Sequence, residues 1–424
     1  MYLADGRTPP PGAVAPAGRG TRPGRRGGAI PATVLALGTV SLVTDVSSEM
    51  VTAVLPLYLV SGLGLSPLGF GLLDGVYNGV GALVRLLGGR LADRGGGRHK
   101  AVAAAGYGLS ALCKPLLLVA HGLPLIGAVL AADRTGKGLR TAPRDALISL
   151  SCEPAARGRA FGAHRAMDTA GALLGPVVAF LVLRVAAGGY DAVFTVSGCV
   201  AALGVLVLLL FVPAGPANSP TSTTGPHTPV RALLRRPAVR RLTGCAVLLG
   251  LTTVSDSFLY LALQRRLDLS ESWFPLLPLG TSGVFLALAL PMGVLADRFG
   301  RRRLFLCGHL ALLAAYALLV TVSGTSPVLA GAVLALHGGF YAATDGVLAA
   351  ATADAVPKEA RGSGLAVVQT GQAAARFACS VAFGAAWTAW GDRTALGAAA
   401  AGLAVSALAG AVLLRRGSPP GKAR

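Results

Sequence analysis

The chain has 424 residues, of which 53% are hydrophobic and 13% are charged, and its formal net charge is +20 at pH 7. A soluble domain carries about 25% charged residues, so this composition excludes an ordinary soluble protein and is typical of an integral membrane protein. The basic residues lie mainly at the ends of apolar segments, with no zinc-finger spacing and no basic helix, which argues against a nucleic-acid partner.

Residues 1–29 are rich in Pro, Gly and Arg, and this composition predicts a disordered, basic segment. Twelve apolar segments follow, each near the roughly 20 residues that a membrane-spanning helix needs. We therefore predict an all-α membrane protein with twelve transmembrane helices, at about residues 32–60, 68–88, 101–120, 123–148, 161–186, 191–212, 241–262, 273–292, 303–323, 327–353, 362–388 and 394–414.

Lys and Arg cluster after spans two, four, six and eight and at the end of the chain, whereas the intervening connections are short and poor in them. Because basic connections stay in the cytoplasm, we expect both termini there, in a multi-pass protein of the cell (plasma) membrane. Residues 213–240 contain six prolines and no long apolar run. They predict a cytoplasmic linker between two six-helix bundles, at residues 30–212 and 241–415, with a cytoplasmic tail at 416–424.

The two predicted bundles repeat a motif. Residues 89–98 (GRLADRGGGR) match residues 293–302 (GVLADRFGRR) at an offset of 204, and Arg157-Gly158 matches Arg361-Gly362 at the same offset. Two matches in one register indicate an internal duplication, which is typical of a transporter built from two related bundles.

Span four carries six charged side chains between residues 133 and 145, although both flanks are apolar. Charged side chains inside a bilayer must face protein or water, so we predict that this part of the span lines a central cavity and approaches the cytoplasmic side. The residues at helical steps of four, three and four are Asp133, Lys137, Arg140 and Arg144, with Arg134 and Asp145 on the adjoining stripe.

Asp45 and Glu49 lie four residues apart in span one, on one face of the predicted helix. Two carboxylates this close in a low dielectric do not both stay ionised at little cost, so one of them is a candidate for carrying a proton. Asp168 in span five is a further candidate for proton coupling. The alternative is that each acid is permanently paired with a cation of span four.

Other spans contain isolated polar side chains, which either bind a polar ligand in a cavity or join neighbouring helices. The candidates for a cavity wall are Asp74 and Asn78 in span two, Asp256 in span seven, Asp345 in span ten, and Gln369, Gln372 and Arg376 in span eleven.

Two repeated bundles, with the motif Gly-x-Leu-Ala-Asp-Arg-x-Gly-x-Arg after spans two and eight, resemble the major facilitator superfamily from about residue 30 to residue 415. Arg134 and Gly138 resemble the arginine motif of its fourth helix. Residues 171–176 resemble its antiporter motif, whose closing Gly-Gly is replaced here by Ala179-Phe180. The resemblance implies a rocker-switch carrier with a central site between the bundles.

The same resemblance assigns roles to the repeated motif and to span five. It implies that Asp93 closes a cytoplasmic gate by pairing with Arg140 or Arg144 of span four or with the start of span eleven. Gly171, Gly175 and Pro176 are the candidates for a hinge in span five. The full set of implied gate residues is Gly89, Asp93, Arg94, Arg98, Arg144, Asp145, Gly293, Asp297 and Arg298.

The sequence has no P-loop, no nucleophile elbow and no metal-ligand cluster, and its six cysteines include no CxxC pair. We therefore predict no enzymatic activity, no cofactor and no metal. The favoured hypothesis is proton-coupled export of a small organic molecule by a monomer in the lipid bilayer. The alternatives are uptake or exchange of an organic anion held by the basic face of span four, and a non-transporting receptor or scaffold on the same fold.

Overall fold

The computed structural model describes residues 30–94, 99–153, 156–186, 189–213, 233–322, 326–357 and 361–415, with the side chains of all but residues 82, 83, 85–94, 353, 361–363, 414 and 415. Every regular element within these ranges is a helix. The predicted segments 1–29 and 416–424, most of the predicted linker, and Arg98 lie outside the described residues.

The first half of the chain forms long helices joined by short connections. Gly64 and Gly122 precede helices with φ angles of 64° and 85°, a conformation that glycine adopts without strain. Beyond Leu57 the first helix continues as a π-helical turn, Tyr58–Gly62. The helices are α1 (Ala32–Leu57), α2 (Pro67–Arg94), α3 (His99–Val119), α4 (Leu123–Leu150), α5 (Arg157–Val185) and α6 (Gly189–Phe211).

The second half repeats this plan but interrupts two of its spans. A 3-10 turn, Glu271–Trp273, precedes its third helix. The helices are α7 (Pro237–Gly250), α8 (Asp256–Leu267), α9 (Leu276–Phe299), α10 (Arg301–Thr321), α11 (Pro327–Thr344), α12 (Val347–Ala355), α13 (Arg361–Trp390) and α14 (Asp392–Arg415).

Each predicted span coincides with a helix or a pair of helices. By length and apolar composition, eight segments can cross a membrane, and they comprise α1, α3, α5, α6, α9, α10, the pair α11–α12, and α14. The other four predicted spans coincide with α2, α4 and α13, which carry more charged or amide side chains, and with the interrupted pair α7–α8. The exact number of twelve spans remains a prediction.

The sequence predicted continuous helices at 241–262 and 327–353, whereas the structure breaks both. The first break covers residues 251–255, where Thr252, Thr253 and Val254 are β-branched residues with low helix propensity. The second break contains Gly346, whose φ of 74° lies in the left-handed region. Each break leaves a carboxylate at a helix end, because Asp256 begins α8 and Asp345 follows α11.

The two halves meet most closely along α2 and α13. A Cβ atom added at Gly71 would lie 2.5 Å from the carbonyl oxygen of Ser380, and one at Gly75 would lie 2.8 Å from the ring of Phe377. Side chains at these glycines would therefore force the helices apart. Small residues allow such close helix packing where no hydrophobic driving force separates protein from lipid.

Contacts between the halves join one end of the bundle, where the α1–α2 and α5–α6 connections lie; we call it the closed end. There the amide of Leu68 donates a hydrogen bond to Thr388 Oγ1 at 3.1 Å. The hydroxyl of Tyr190 donates to Glu271 Oε2 at 2.8 Å. The closed end thus combines close helix packing with hydrogen bonds that cross between the halves.

We expect Gly71→Val to lower the free energy of unfolding by about 1–3 kcal/mol, because two methyl groups would be forced against the backbone of α13. Denaturant titration of the purified protein in mixed micelles measures this change. The matched control is Gly331→Val in α11, where no atom lies within 4 Å of the added Cβ. Equal losses in the two variants would contradict the assignment of Gly71 to a tight interface.

Candidate functional site

Three acids face three cations of α4 along successive helical turns, an arrangement that we call the charge ladder. Lys137 Nζ lies 3.1 Å from Glu49 Oε1, and Arg140 Nη2 lies 2.9 Å from Asp45 Oδ1. The third rung joins α4 to α5, since Arg144 Nη1 lies 3.4 Å from Asp168 Oδ1. The sequence spacing produces this match, because steps of three or four residues keep side chains on one helix face.

Burial increases along the ladder. The side chains of Glu49 and Lys137 are 27% and 32% exposed, whereas those of Asp45 and Arg140 are 11% and 4% exposed. The guanidinium of Arg140 also lies over the ring of Tyr107, 4.5 Å from its centre. Ionic contacts buried this deeply persist because each charge has an opposite charge beside it.

The carboxyl groups of Asp45 and Asp168 lie close enough to share a hydrogen bond. Two carboxylates can make that contact only when one of them carries a proton. Arg144 adjoins the pair and also donates to Asp145 Oδ1 at 3.1 Å and to Ser41 Oγ at 3.3 Å. The arrangement can therefore hold one proton between two acids, next to a fixed positive charge.

Asp133 lies at the interface of α3 and α4, in contrast to the cavity position expected from its place in span four. Its Oδ1 accepts hydrogen bonds from Lys114 Nζ at 2.7 Å and Ser110 Oγ at 2.8 Å. Its Oδ2 lies 3.0 Å from Arg134 Nη2, and that guanidinium stacks 3.8 Å from the centre of the Tyr77 ring. This buried cluster joins α2, α3 and α4.

Lys114 and Tyr77 were missed by the sequence analysis. Lys114 is the charged residue within an otherwise apolar stretch of span three, and that isolation was a usable signal. The expected break at Pro143 is also absent from the described helix, since α4 continues through it to Leu150. Proline removes one backbone hydrogen bond there without ending the helix.

A cavity of about 320 Å³ lies between the halves and is lined by residues of α1, α2, α5, α8, α9 and α11. An adjoining cavity extends along α13 and shares several of the same residues. Asp133, Arg134, Lys137 and Arg140 are not among the described lining residues of either. The predicted residues that do line them are Asp74, Asn78, Asp256, Asp345, Gln369, Gln372 and Arg376.

Asp256 is the centre of a hydrogen-bonded cluster in the second half. The hydroxyl of Tyr341 lies 2.6 Å from Oδ1 and 2.8 Å from Oδ2, and His337 Nε2 lies 3.2 Å from Oδ1. The other ring nitrogen of His337 lies 3.4 Å from Thr281 Oγ1. The sequence analysis identified Asp256 but not the residues that hold it, because α8 and α11 are far apart in the chain.

The second copy of the repeated motif forms a network inside its own half. Arg301 lies 3.4 Å from Asp297 and 2.6 Å from Asp354, so it connects α9, α10 and α12. Arg298 and Gly293 lie on α9 beside this network. The first copy ends α2, but the side chains at residues 85–94 are outside the described set, and this includes Gly89, Asp93 and Arg94.

The predicted hinge in α5 coincides with its contact with α1. A Cβ atom at Gly175 would lie 2.6 Å from that of Glu49 and 2.9 Å from the carbonyl oxygen of Val46. Gly171 is equally close to the backbone of Leu42. The helix passes through Pro176 without interruption. These glycines let α5 lie directly against the acidic face of α1.

Comparison with known proteins gives a family and a fold. The family model of the Major Facilitator Superfamily matches residues 37–288 and 257–424. An uncharacterized MFS-type transporter of Methanocaldococcus jannaschii is 28% identical over 345 residues, which are 80% of this chain and 84% of that protein. An uncharacterized protein of Mycobacterium tuberculosis is 35% identical over 175 residues, 41% of this chain and 40% of its own length.

Similar solved structures are transporters of low sequence identity. The nucleoside transporter NupG superposes with a TM-score of 0.78 at 14% identity, covering 90% of this chain and 99% of that one. A bacterial homologue of the human lysosomal transporter Spinster, in an inward-facing and unoccupied conformation, gives 0.73 at 15% identity, covering 93% and 100%. The predicted superfamily and its all-α membrane fold are thus confirmed.

We expect Asp133→Ala to lower the free energy of unfolding by about 3–5 kcal/mol, because it leaves the buried ammonium of Lys114 without its carboxylate. Denaturant titration in micelles measures the loss. The matched control is Asp145→Ala, whose side chain is 45% exposed and whose loss should cost about 0–1 kcal/mol. A loss at Asp133 as small as that at Asp145 would show that the cluster does not stabilise the fold.

Proposed function

Because the chain belongs to the Major Facilitator Superfamily, we propose that it exports a small organic molecule across the cell membrane in exchange for protons. The observation that carries this proposal is the charge ladder. Its first acid, Glu49, lines the central cavity, while Asp45 and Asp168 follow at deeper positions. A proton can therefore pass from the cavity along acids that are each held by a cation of α4.

The ladder also supplies a reason for exchange. A protonated acid no longer pairs with its lysine or arginine, so proton binding changes how α1 and α5 are held against α4. The close α1–α5 packing at Gly175 places this change beside the cavity wall. Proton binding and solute binding then compete through one set of contacts.

Export of a solute that is not an organic anion is favoured by the pairing of α4. Each of its candidate anion ligands already faces a carboxylate: Arg134 faces Asp133, Lys137 faces Glu49, and Arg140 faces Asp45. A second anion would have to displace one of these contacts. The organic-anion alternative therefore needs an interaction that these side chains already make within the protein.

The closed end supports a rocker-switch movement. We propose that it faces the outside, with both termini in the cytoplasm, and that the cavity alternates as the α2–α13 contact opens. The superposition with the inward-facing Spinster homologue supports this orientation. Asp93 and Asp297, with their basic neighbours, would then secure the opposite, cytoplasmic end.

The proposal is tested in proteoliposomes that contain a pH-sensitive dye, using each solute that raises the thermal midpoint of the purified protein. The wild-type chain should move protons when such a solute is added. Asp45→Asn combined with Glu49→Gln, and separately Asp168→Asn, should reduce this signal to that of empty vesicles, because neither amide carries a proton.

Asp191→Asn serves as the charge-matched control, since Asp191 is exposed at the start of α6. Its proton signal should equal that of the wild type. Solute-dependent proton movement that survives in the double variant would remove Asp45 and Glu49 from the coupling step.

A further inference from the structure

We propose that the carried solute is a small organic cation, bound in the central cavity by Asp74 of α2 with Asp256 of α8 on the facing half. This inference rests on the carrier function proposed above and specifies its substrate class. Both carboxylates line the same cavity, and they lie close enough to influence each other electrostatically.

Asp74 is the principal anchor because it is buried without a cation. The residue is 7% exposed, and its Oδ2 accepts a hydrogen bond from Ser380 Oγ at 2.7 Å. Within the described part of the chain, no lysine, arginine or histidine forms an ion pair with it. A carboxylate withdrawn from water is costly unless a positive charge accompanies it. The ammonium group of a ligand would supply that charge.

The charge of the cavity wall favours a cation over an anion. Of the described lining residues, four are carboxylates and one is a guanidinium: Glu49, Asp74, Asp256, Asp345 and Arg376. Lys137 offsets the first of these acids from behind the wall. An anionic solute at the guanidinium would face the remaining carboxylates across the same space, whereas a cation would be attracted to them.

Asp345 adds a second feature that favours positive charge. It follows the last residue of α11 directly, so it lies at the negative end of that helix dipole. No ion pair to Asp345 occurs among the described residues, and its side chain is exposed to the cavity. Interrupted helices that end at a midplane site are a recurrent way of binding ions in transporters.

The remaining wall specifies what accompanies the charge. Tyr260 and Phe285 contribute aromatic surface, which attracts cations and packs against apolar groups. Ser255 and Ser257 contribute hydroxyl groups on the side of Asp74 and Asp256. A cavity of about 320 Å³ suits a compact amine with an apolar body rather than a long peptide.

The test uses three probes of nearly equal size: 4-phenylbutylamine, 4-phenylbutan-1-ol and 4-phenylbutyrate. The purified full-length chain is titrated with each probe, and the thermal midpoint is recorded against concentration. We expect the amine to raise the midpoint and the alcohol and the carboxylate to leave it unchanged. Stabilisation by the alcohol or the carboxylate equal to that by the amine, or no stabilisation by the amine, would overturn the cation assignment.

Variants then locate the charge. Asp74→Asn should weaken amine binding roughly tenfold to a hundredfold, since a hydrogen bond to a charged group is lost while the contact with Ser380 remains possible. Asp74→Glu should restore most of the binding, which separates a charge requirement from a folding defect. Asp268→Asn, outside the cavity, is the control and should bind as the wild type does. Unchanged binding in Asp74→Asn would overturn the assignment of Asp74.

The substrate class and the carrier function fail separately. Proton movement elicited in proteoliposomes by the alcohol or the carboxylate, without a response to the amine, would retain proton-coupled transport and exclude an organic cation. Amine binding that depends on Asp74 but elicits no proton movement would retain the cation site and exclude proton exchange.

Discussion

A guanidinium or ammonium group inside a bilayer must have a carboxylate beside it, and the first half of this protein is arranged around that requirement. α4 presents Arg134, Lys137, Arg140 and Arg144, and the partner carboxylates come from α1, α4 itself and α5. Lys114 of α3 shares the carboxylate of Asp133. These contacts fix the rotation of each neighbouring helix about its own axis. Stability and candidate proton transfer therefore depend on the same ion pairs.

The second half solves the problem of buried charge differently. Asp256 is held by the hydroxyl of Tyr341 and the ring of His337 rather than by a lysine or arginine. Hydrogen bonds from neutral groups stabilise a carboxylate without cancelling its charge. The cavity between the halves consequently has an acidic wall on the side of the second half, while the basic helix of the first half has its charges satisfied behind the wall.

Hydropathy, charge alternation and the repeated motif were sufficient to predict the helices, the duplication and the superfamily, since these depend on local composition. Neighbour relations were harder to predict. Periodicity places Asp133 and Lys137 on one helix face, yet one contacts α3 and the other α1, because a face is wide enough to touch two helices. The break at Gly346 depends on a backbone angle that a continuous apolar run does not reveal.

The two interrupted spans have a mechanical consequence. Within the described residues the helices of the first half are continuous and cross-linked by ion pairs, so that half resembles a stator. In the second half, α8 and α12 are short segments that can rotate at residues 251–255 and at Gly346 without unwinding a long helix. Duplication thus produced two bundles of one ancestry but unequal compliance, and the yielding parts bear the carboxylates that face the cavity.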